Sequence, residues 1–146
     1  MRRRSARQPW SDAPDPRARV LLECGPEAAP SIVASVIERH GFEVRTCEGP
    51  GSGPCDLLQD GACALVDGAD VVVNMLGTSG STVLAQVSGQ RRPPAVVAEM
   101  TRPQVKAVAR SGPDGPVPAE HVTVVHTPVT TRQLIDAIEA AAPPSS

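Results

Sequence analysis

Short runs of consecutive apolar residues recur along the chain, and segments with helical spacing separate them. The clearest run is 69–76, Ala-Asp-Val-Val-Val-Asn-Met-Leu, where the apolar residues are consecutive rather than alternating. This pattern is typical of a strand that is buried on both faces of a parallel sheet. Strands are therefore predicted at 19–24, 42–47, 70–76, 95–100 and 122–125. The alternation within 42–47 favours an edge position for that strand.

Helices are predicted between these strands, and several carry recognisable start signals. Thr101 is suited to cap a short helix, and Thr130 with Gln133 has the spacing of a capping box. Residues 48–68 are the exception, because their Gly- and Pro-rich start leaves room for only one or two helical turns. The predicted helices lie near 30–40, 79–88, 102–110 and 130–139.

Five strands that alternate with helices predict an α/β fold, a three-layer sandwich around a parallel sheet with right-handed crossovers. Strands of this number and length favour the flavodoxin-like order 2-1-3-4-5. Ligands of open α/β sheets bind beyond the carboxyl ends of the central strands. Any site is therefore expected next to Asn74 and the loop 77–82 that follows it.

The charge is unevenly distributed along the chain. Residues 1–19 hold six Arg and two Asp, for +4, whereas residues 20–146 hold eight Lys or Arg and fourteen Asp or Glu, for −6. With one Trp, one Phe and no Tyr, the chain has no aromatic platform for stacking bases. Nucleic acid is therefore not an expected partner, except through the basic amino-terminal arm.

Composition also predicts the domain boundaries. Residues 1–18 are rich in Arg, Ser, Asp and Pro and predict a disordered basic arm, in which Trp10 is a solvated group or part of a short docking motif. Residues 19–142 form one domain, and residues 143–146 form a disordered tail.

The chain carries no signal of export or membrane insertion. Its Arg-rich start has no apolar segment behind it, and no apolar run approaches the ~20 residues of a membrane span. A cytoplasmic protein is expected, and in a reducing compartment four cysteines are thiols or metal ligands rather than structural disulfides. The bias towards Ala, Arg, Pro and Gly is typical of a bacterial sequence of high GC content.

Three segments carry a resemblance to a known family. They are residues 19–46 (strand, helix, Gly-Phe-Glu-Val), the strand 69–73, and Thr127-Pro128 followed by the apolar positions of 134–138. In this order they resemble the receiver domain of two-component response regulators over about residues 19–142. The resemblance implies a signalling domain with the flavodoxin-like fold.

A receiver site needs an acidic pair after strand one for Mg²⁺, an Asp at the end of strand three that accepts phosphate, a Thr or Ser after strand four, and a Lys before the Pro after strand five. Here only one carboxylate of the pair remains, and both the Asp and the Lys are missing. The resemblance therefore implies a degenerate pseudo-receiver without catalytic residues, acting on another protein or on a second copy through the side formed by helix 102–110, strand 122–125 and the last helix. The matching positions are Glu23, Cys24, Asn74 or Met75, Thr101, Thr127 and Pro128.

The four cysteines suggest an alternative function. Cys24 and Cys47 end neighbouring strands, and Cys55 and Cys63 share a repeated Cys-x-Leu unit. Thiolates gathered at one edge would bind zinc or an iron–sulfur cluster, which makes a metal or redox sensor the alternative. The spacing matches neither zinc knuckles nor ferredoxins. Simple packing of buried thiols, and a redox-labile Cys55–Cys63 pair, stay open beside the metal site.

An enzyme built on the loop that begins at Cys24 is a third possibility. A phosphate-binding loop needs backbone N–H donors, and a phosphatase loop also needs an Arg. Pro26 and Pro30 remove two donors, and residues 24–31 contain no Arg. The sequence therefore predicts no enzymatic activity and no required cofactor.

Overall fold

A computed structural model of the chain describes residues 10–11, 17–52, 55–77, 80–110 and 121–143. Five parallel strands form one sheet in the order β2-β1-β3-β4-β5, which confirms the predicted flavodoxin-like topology. The strands are β1 (Arg19–Cys24), β2 (Glu43–Cys47), β3 (Val71–Met75), β4 (Ala95–Met100) and β5 (Val122–His126).

Helices cover both faces of this sheet. Residues 111–120, between the fourth and fifth strands, and most of the predicted arm lie outside the described residues. Within the described part of the chain, no helix has the length and apolar character needed to cross a membrane. The helices are α1 (Pro30–Arg39), α2 (Asp56–Asp60), α3 (Ala64–Asp67), α4 (Gly80–Ser88), α5 (Arg102–Arg110) and α6 (Thr131–Ala141).

The apolar runs of the central strands supply two separate cores, because successive side chains point to opposite faces of the sheet. One core lies between the sheet and helices α1 and α6, and we call this side the α1/α6 face. The other lies under α2, α3 and α4, with α5 at its margin, and we call it the α4/α5 face. Buried strand residues of the α1/α6 face include Val20, Leu22, Val71, Val73 and Val97. Those of the α4/α5 face include Leu21, Val72 and Val96.

Two short helices replace the usual crossover helix between β2 and β3. Helix α2 has five residues and helix α3 has four, as the Gly- and Pro-rich sequence predicts. Gly61 ends α2 with a φ of 74°, a left-handed conformation that glycine adopts without steric cost. Leu57, Leu65 and Val66 are buried in the α4/α5 core, so even these short helices contribute apolar packing.

Trp10 is not the solvated group that composition predicts. Its side chain is only 9 % exposed and belongs to the α4/α5 core. The indole Nε1–H donates a hydrogen bond to the carbonyl oxygen of Leu65 at 2.9 Å. The physical reason is local: α2 and α3 are too short to cover the sheet, and an indole has a large apolar surface to bury. The disorder predicted for the rest of the arm stays a prediction.

The predicted helix caps are present. Thr101 Oγ1 accepts a hydrogen bond from the backbone N–H of Gln104 at 3.4 Å, and Thr101 N–H donates to Gln104 Oε1 at 2.8 Å. Thr130 and Gln133 form the capping box of α6. Each cap fixes the direction in which a helix leaves the carboxyl end of its strand or loop.

Candidate functional site

The carboxyl ends of β1 and β3 bring together four of the residues predicted from the receiver resemblance. Glu23 is the register partner of Asn74, and Cys24 is the register partner of Met75. Both pairs lie at the sheet edge where ligands of this fold class bind. The structure therefore brings these four predicted site residues together at one end of the sheet.

The first pair is buried in the α4/α5 core rather than open to solvent. Glu23 is 3 % exposed and Asn74 is 4 % exposed. Cys47 of β2 is the register partner of Glu23 on its other side, so a polar row Cys47–Glu23–Asn74 crosses three strands. Each of the three residues engages in polar or electrostatic contacts. A carboxylate so placed is part of the packed interior.

The second pair faces the opposite core. Cys24 is fully buried on the α1/α6 face. Burial, followed by the negative charges of Glu27, Glu48 and Glu99, raises the pKa of the Cys24 thiol to about 11. The thiolate is the reactive form of cysteine, and burial disfavours that form at Cys24.

The four cysteines are not gathered at one place. Cys47, Cys55 and Cys63 belong to the α4/α5 core, whereas Cys24 belongs to the α1/α6 core. The reason is the register: Glu23, and not Cys24, pairs with Cys47, so alternation turns Cys24 to the other face. All four are buried, and none is in a disulfide. Over the described ranges, no three His, Cys, Asp or Glu side chains are placed to hold a metal ion.

Thr101 and Thr127, the predicted site residues that follow β4 and β5, make hydrogen bonds within the fold. The Thr101 hydroxyl is committed to the cap of α5. Thr127 is exposed, and its backbone N–H donates to the carbonyl oxygen of Met100 at 3.0 Å. The peptide bond between Thr127 and Pro128 is cis. Thr127 therefore offers a neutral side chain at the strand end where a receiver carries its ammonium group.

The carboxyl group of Glu99 also lies at this edge, although the sequence patterns did not single it out. Glu99 lies near the end of β4 with Val125 as its register partner. Burial raises the pKa of its carboxyl group. The available signal is a charged residue inside the apolar run 95–100, Ala-Val-Val-Ala-Glu-Met.

A second cluster of charges lies at the opposite, amino-terminal edge of the sheet. Glu43 is 3 % exposed and accepts hydrogen bonds from Ser11 N–H at 3.0 Å and from Arg19 Nε at 3.3 Å. Arg45 Nη2 lies 3.3 Å from the same carboxylate. Burial alone would raise the pKa of Glu43, but the hydrogen bonds from Ser11 and the charges of Arg19 and Arg45 outweigh it and hold this pKa below its usual value. The guanidinium carbons of Arg19 and Arg45 each lie 5.7 Å from the centre of the Trp10 ring.

Comparison with known proteins places the fold. No family model matches the sequence, and no curated protein matches it. Among solved structures, a response regulator receiver domain protein from Bacillus halodurans is 18 % identical, with 88 % of this chain and 99 % of that chain covered and a TM-score of 0.62. HP1043, an orphan response regulator of H. pylori, is 16 % identical, with 88 % and 98 % covered and a TM-score of 0.59. A structure of adenylate cyclase from Rhodopirellula baltica is 18 % identical, with 86 % and 87 % covered and a TM-score of 0.59.

These similarities establish that the chain has the receiver fold, which confirms the resemblance seen in the sequence. At such low identity they show the fold alone.

Proposed function

We propose that this chain is a non-catalytic signalling or protein-interaction module that keeps the receiver fold without the receiver's phosphoryl chemistry. The observation that carries the proposal is the end of β3, where Asn74 and Met75 stand in place of a nucleophilic Asp. An amide and a thioether form no acyl phosphate, because neither offers a carboxylate oxygen to attack phosphorus.

The surroundings of this position support the same conclusion. Mg²⁺ prefers several oxygen ligands, and Glu23 is the single carboxylate of the former acidic pair, since its neighbour is Cys24. Glu23 is also packed inside the α4/α5 core. Thr127 carries no charge with which to hold a phosphoryl oxygen. One of the two carboxylates for the metal, and the ammonium group for the phosphate, are therefore missing.

A module without chemistry of its own acts through a binding surface. We assign that role to the side formed by α5, β5 and α6, which would bind another protein or a second copy of this chain. Strand β5 is an edge strand, and His126 at its end is exposed. Lys106 of α5 and Arg132 of α6 are also exposed on this side of the fold. An exposed sheet edge flanked by charged helices is suited to a specific pairing.

Self-association through this side is tested by sedimentation of the full chain. Lys106→Glu, at an exposed position of α5, is expected to shift a concentration-dependent dimer towards the monomer. Arg39→Glu, which makes the same charge change at the exposed end of α1, is the matched control and leaves the dimer intact. Equal effects of the two substitutions would contradict the assignment. A wild-type chain that is monomeric throughout leaves another protein as the partner.

The alternative, a metal or redox sensor, draws support from the shared core of Cys47, Cys55 and Cys63. It requires these three thiols to move together around one ion, or a rearrangement that carries Cys24 to the same face. Metal analysis and a visible spectrum of anaerobically purified protein separate the two functions. Stoichiometric zinc, or the absorbance of an iron–sulfur cluster, would favour the sensor. A colourless protein without bound metal favours the interaction module. We place that module in the cytoplasm, because its four cysteines are thiols and a reducing compartment maintains thiols.

A further inference from the structure

The amino-terminal edge of the sheet contains a pocket shaped around an indole ring. Trp10 fills it, with Nε1–H bonded to Leu65 O at 2.9 Å and the guanidinium groups of Arg19 and Arg45 beside the ring. Gly68 leaves the space that the ring needs, since a Cβ atom there would overlap Trp10 Cδ1. Shape, a hydrogen-bond acceptor and cations beside the ring are the features by which proteins recognise tryptophan.

The pocket also binds the backbone that follows the ring. Ser11 N–H donates to Glu43 Oε1 at 3.0 Å, and Ser11 C=O accepts from Arg19 Nη2 at 2.8 Å. Both backbone groups of the residue after the tryptophan are therefore recognised. This two-point contact orients an extended segment in one direction.

The charged wall of the pocket is held by contacts within the sheet in addition to those with Ser11. Glu43 forms ion pairs with Arg19 and Arg45 at 3.3 Å each, and all three residues belong to β1 or β2. Arg45 Nη1 also donates to its neighbour's carbonyl oxygen, Val44 O, at 2.9 Å. Side chains restrained by such ion pairs lose less conformational entropy when a ligand enters than unrestrained ones do.

The segment that fills the pocket stands apart from the sheet framework. Trp10 and Ser11 precede β1 and form no part of a strand or helix. We propose that this pocket is a recognition site for a tryptophan-bearing segment of a partner protein, and that the chain's own Trp10 occupies it in cis. A tethered ligand acts at an effective concentration in the ~mM range, so the arm competes with such a partner. The pocket lies at the opposite end of the strands from Asn74 and is independent of the function proposed above.

The experiment separates the pocket from its tethered ligand. In the full chain carrying Trp10→Ala, no tryptophan or tyrosine remains, so the fluorescence of an added tryptophan peptide reports only its own environment. The probe is the peptide of residues 7–13, Arg-Gln-Pro-Trp-Ser-Asp-Ala. We expect a saturable blue shift and a rise in anisotropy. An unchanged peptide spectrum in the presence of folded Trp10→Ala protein overturns the proposal.

Two further variants, each combined with Trp10→Ala, test the stated geometry. Gly68→Ala is expected to weaken peptide binding about ten-fold or more, because its methyl group occupies the space of the ring. Glu43→Gln is expected to weaken it about ten-fold, because a charged acceptor is lost. Glu38→Gln, at an exposed position of α1, is the matched control and leaves binding unchanged. Binding that is insensitive to both Gly68→Ala and Glu43→Gln would place the peptide elsewhere and refute the site.

A second measurement applies if the Trp10→Ala chain does not fold. The wild-type chain labelled with 5-fluorotryptophan has a single fluorine resonance, since it has one tryptophan. Excess unlabelled peptide should transfer intensity from the docked resonance to that of a solvent-exposed indole. A docked resonance that persists at peptide concentrations well above the ~mM effective concentration of the arm contradicts the proposal.

Discussion

Glu23 of β1 and Asn74 of β3 are register partners, and both side chains are buried on the same face of the sheet. A neutral amide beside the carboxylate avoids placing two like charges in a medium of low dielectric. Asn74→Asp would create that repulsion. We expect it to lower the free energy of unfolding by about 2 kcal/mol at neutral pH, and by less in acid as one carboxyl group becomes protonated.

Urea denaturation of the Asn74→Asp chain at neutral and at acidic pH measures this penalty. Gln59→Glu introduces a negative charge at an exposed position of α2 and is the control. The control should change stability by no more than about 0.5 kcal/mol. If Asn74→Asp changes the free energy of unfolding at neutral pH by no more than the control does, the side chains at positions 23 and 74 are not adjacent in a buried core.

Burial of the Cys24 thiol should make the folded protein less stable in alkali. The unfolded thiol ionises near 9.0, whereas burial keeps the folded thiol protonated until the pH approaches its raised pKa of about 11. Its contribution is therefore complete below pH 9.0 and is lost as the pH rises from there to about 11. The free energy of unfolding should fall over this window in the wild-type chain and should fall less in Cys24→Ala. Identical slopes in the two proteins would show that Cys24 is not desolvated.

Trp10 predicts that a residue of the amino-terminal arm stabilises the domain. Trp10→Ala removes a buried ring and its hydrogen bond to Leu65, and we expect a loss of about 3 kcal/mol. Trp10→Phe keeps part of the apolar contact but lacks the N–H donor, so its loss should be smaller. Thermal or urea unfolding measures both values. A Trp10→Ala chain as stable as the wild type would mean that the ring is solvated after all.

Glu43 predicts a weakening of the same contact in acid. Because its folded pKa lies below the ordinary value of 4.5, its contribution to stability is complete above that pH and is lost as the pH falls below it. Tryptophan emission should shift to the red over the same range as the carboxylate releases Ser11, Arg19 and Arg45. Glu43→Gln should remove this acid dependence, and Glu38→Gln should retain it. An acid transition that survives in Glu43→Gln would have to come from another group.

Local patterns were sufficient for most of the fold. Strands β1 and β4 have the predicted bounds, 19–24 and 95–100. Their runs of Val, Leu and Ala are typical of strands that are buried on both faces of a parallel sheet. The capping box of Thr130 and Gln133 was also predicted correctly, because its hydrogen bonds join residues that are three positions apart in the sequence. The strand order was predicted from the number and length of the strands, and the structure confirms it.

The arrangement of side chains around the candidate sites needed information that local patterns lack. Cys24 and Cys47 both end strands, yet a register offset of one residue places them on opposite faces. Trp10 contacts Leu65 across 55 positions, and the composition of the arm around it gives no sign of that contact. The sequence singled out Glu23 as a candidate site residue, and only the structure shows that it is buried.

The most direct test of the proposed function is phosphorylation of the full wild-type chain. The chain is incubated with acetyl phosphate and Mg²⁺ and measured by intact mass, beside a receiver domain that has the phosphoacceptor Asp. Our account predicts a phosphoryl adduct on the control receiver and an unchanged mass for this chain. A Mg²⁺-dependent, hydroxylamine-labile phosphoryl adduct on this chain would show that it has an acceptor carboxylate in use and would contradict the account.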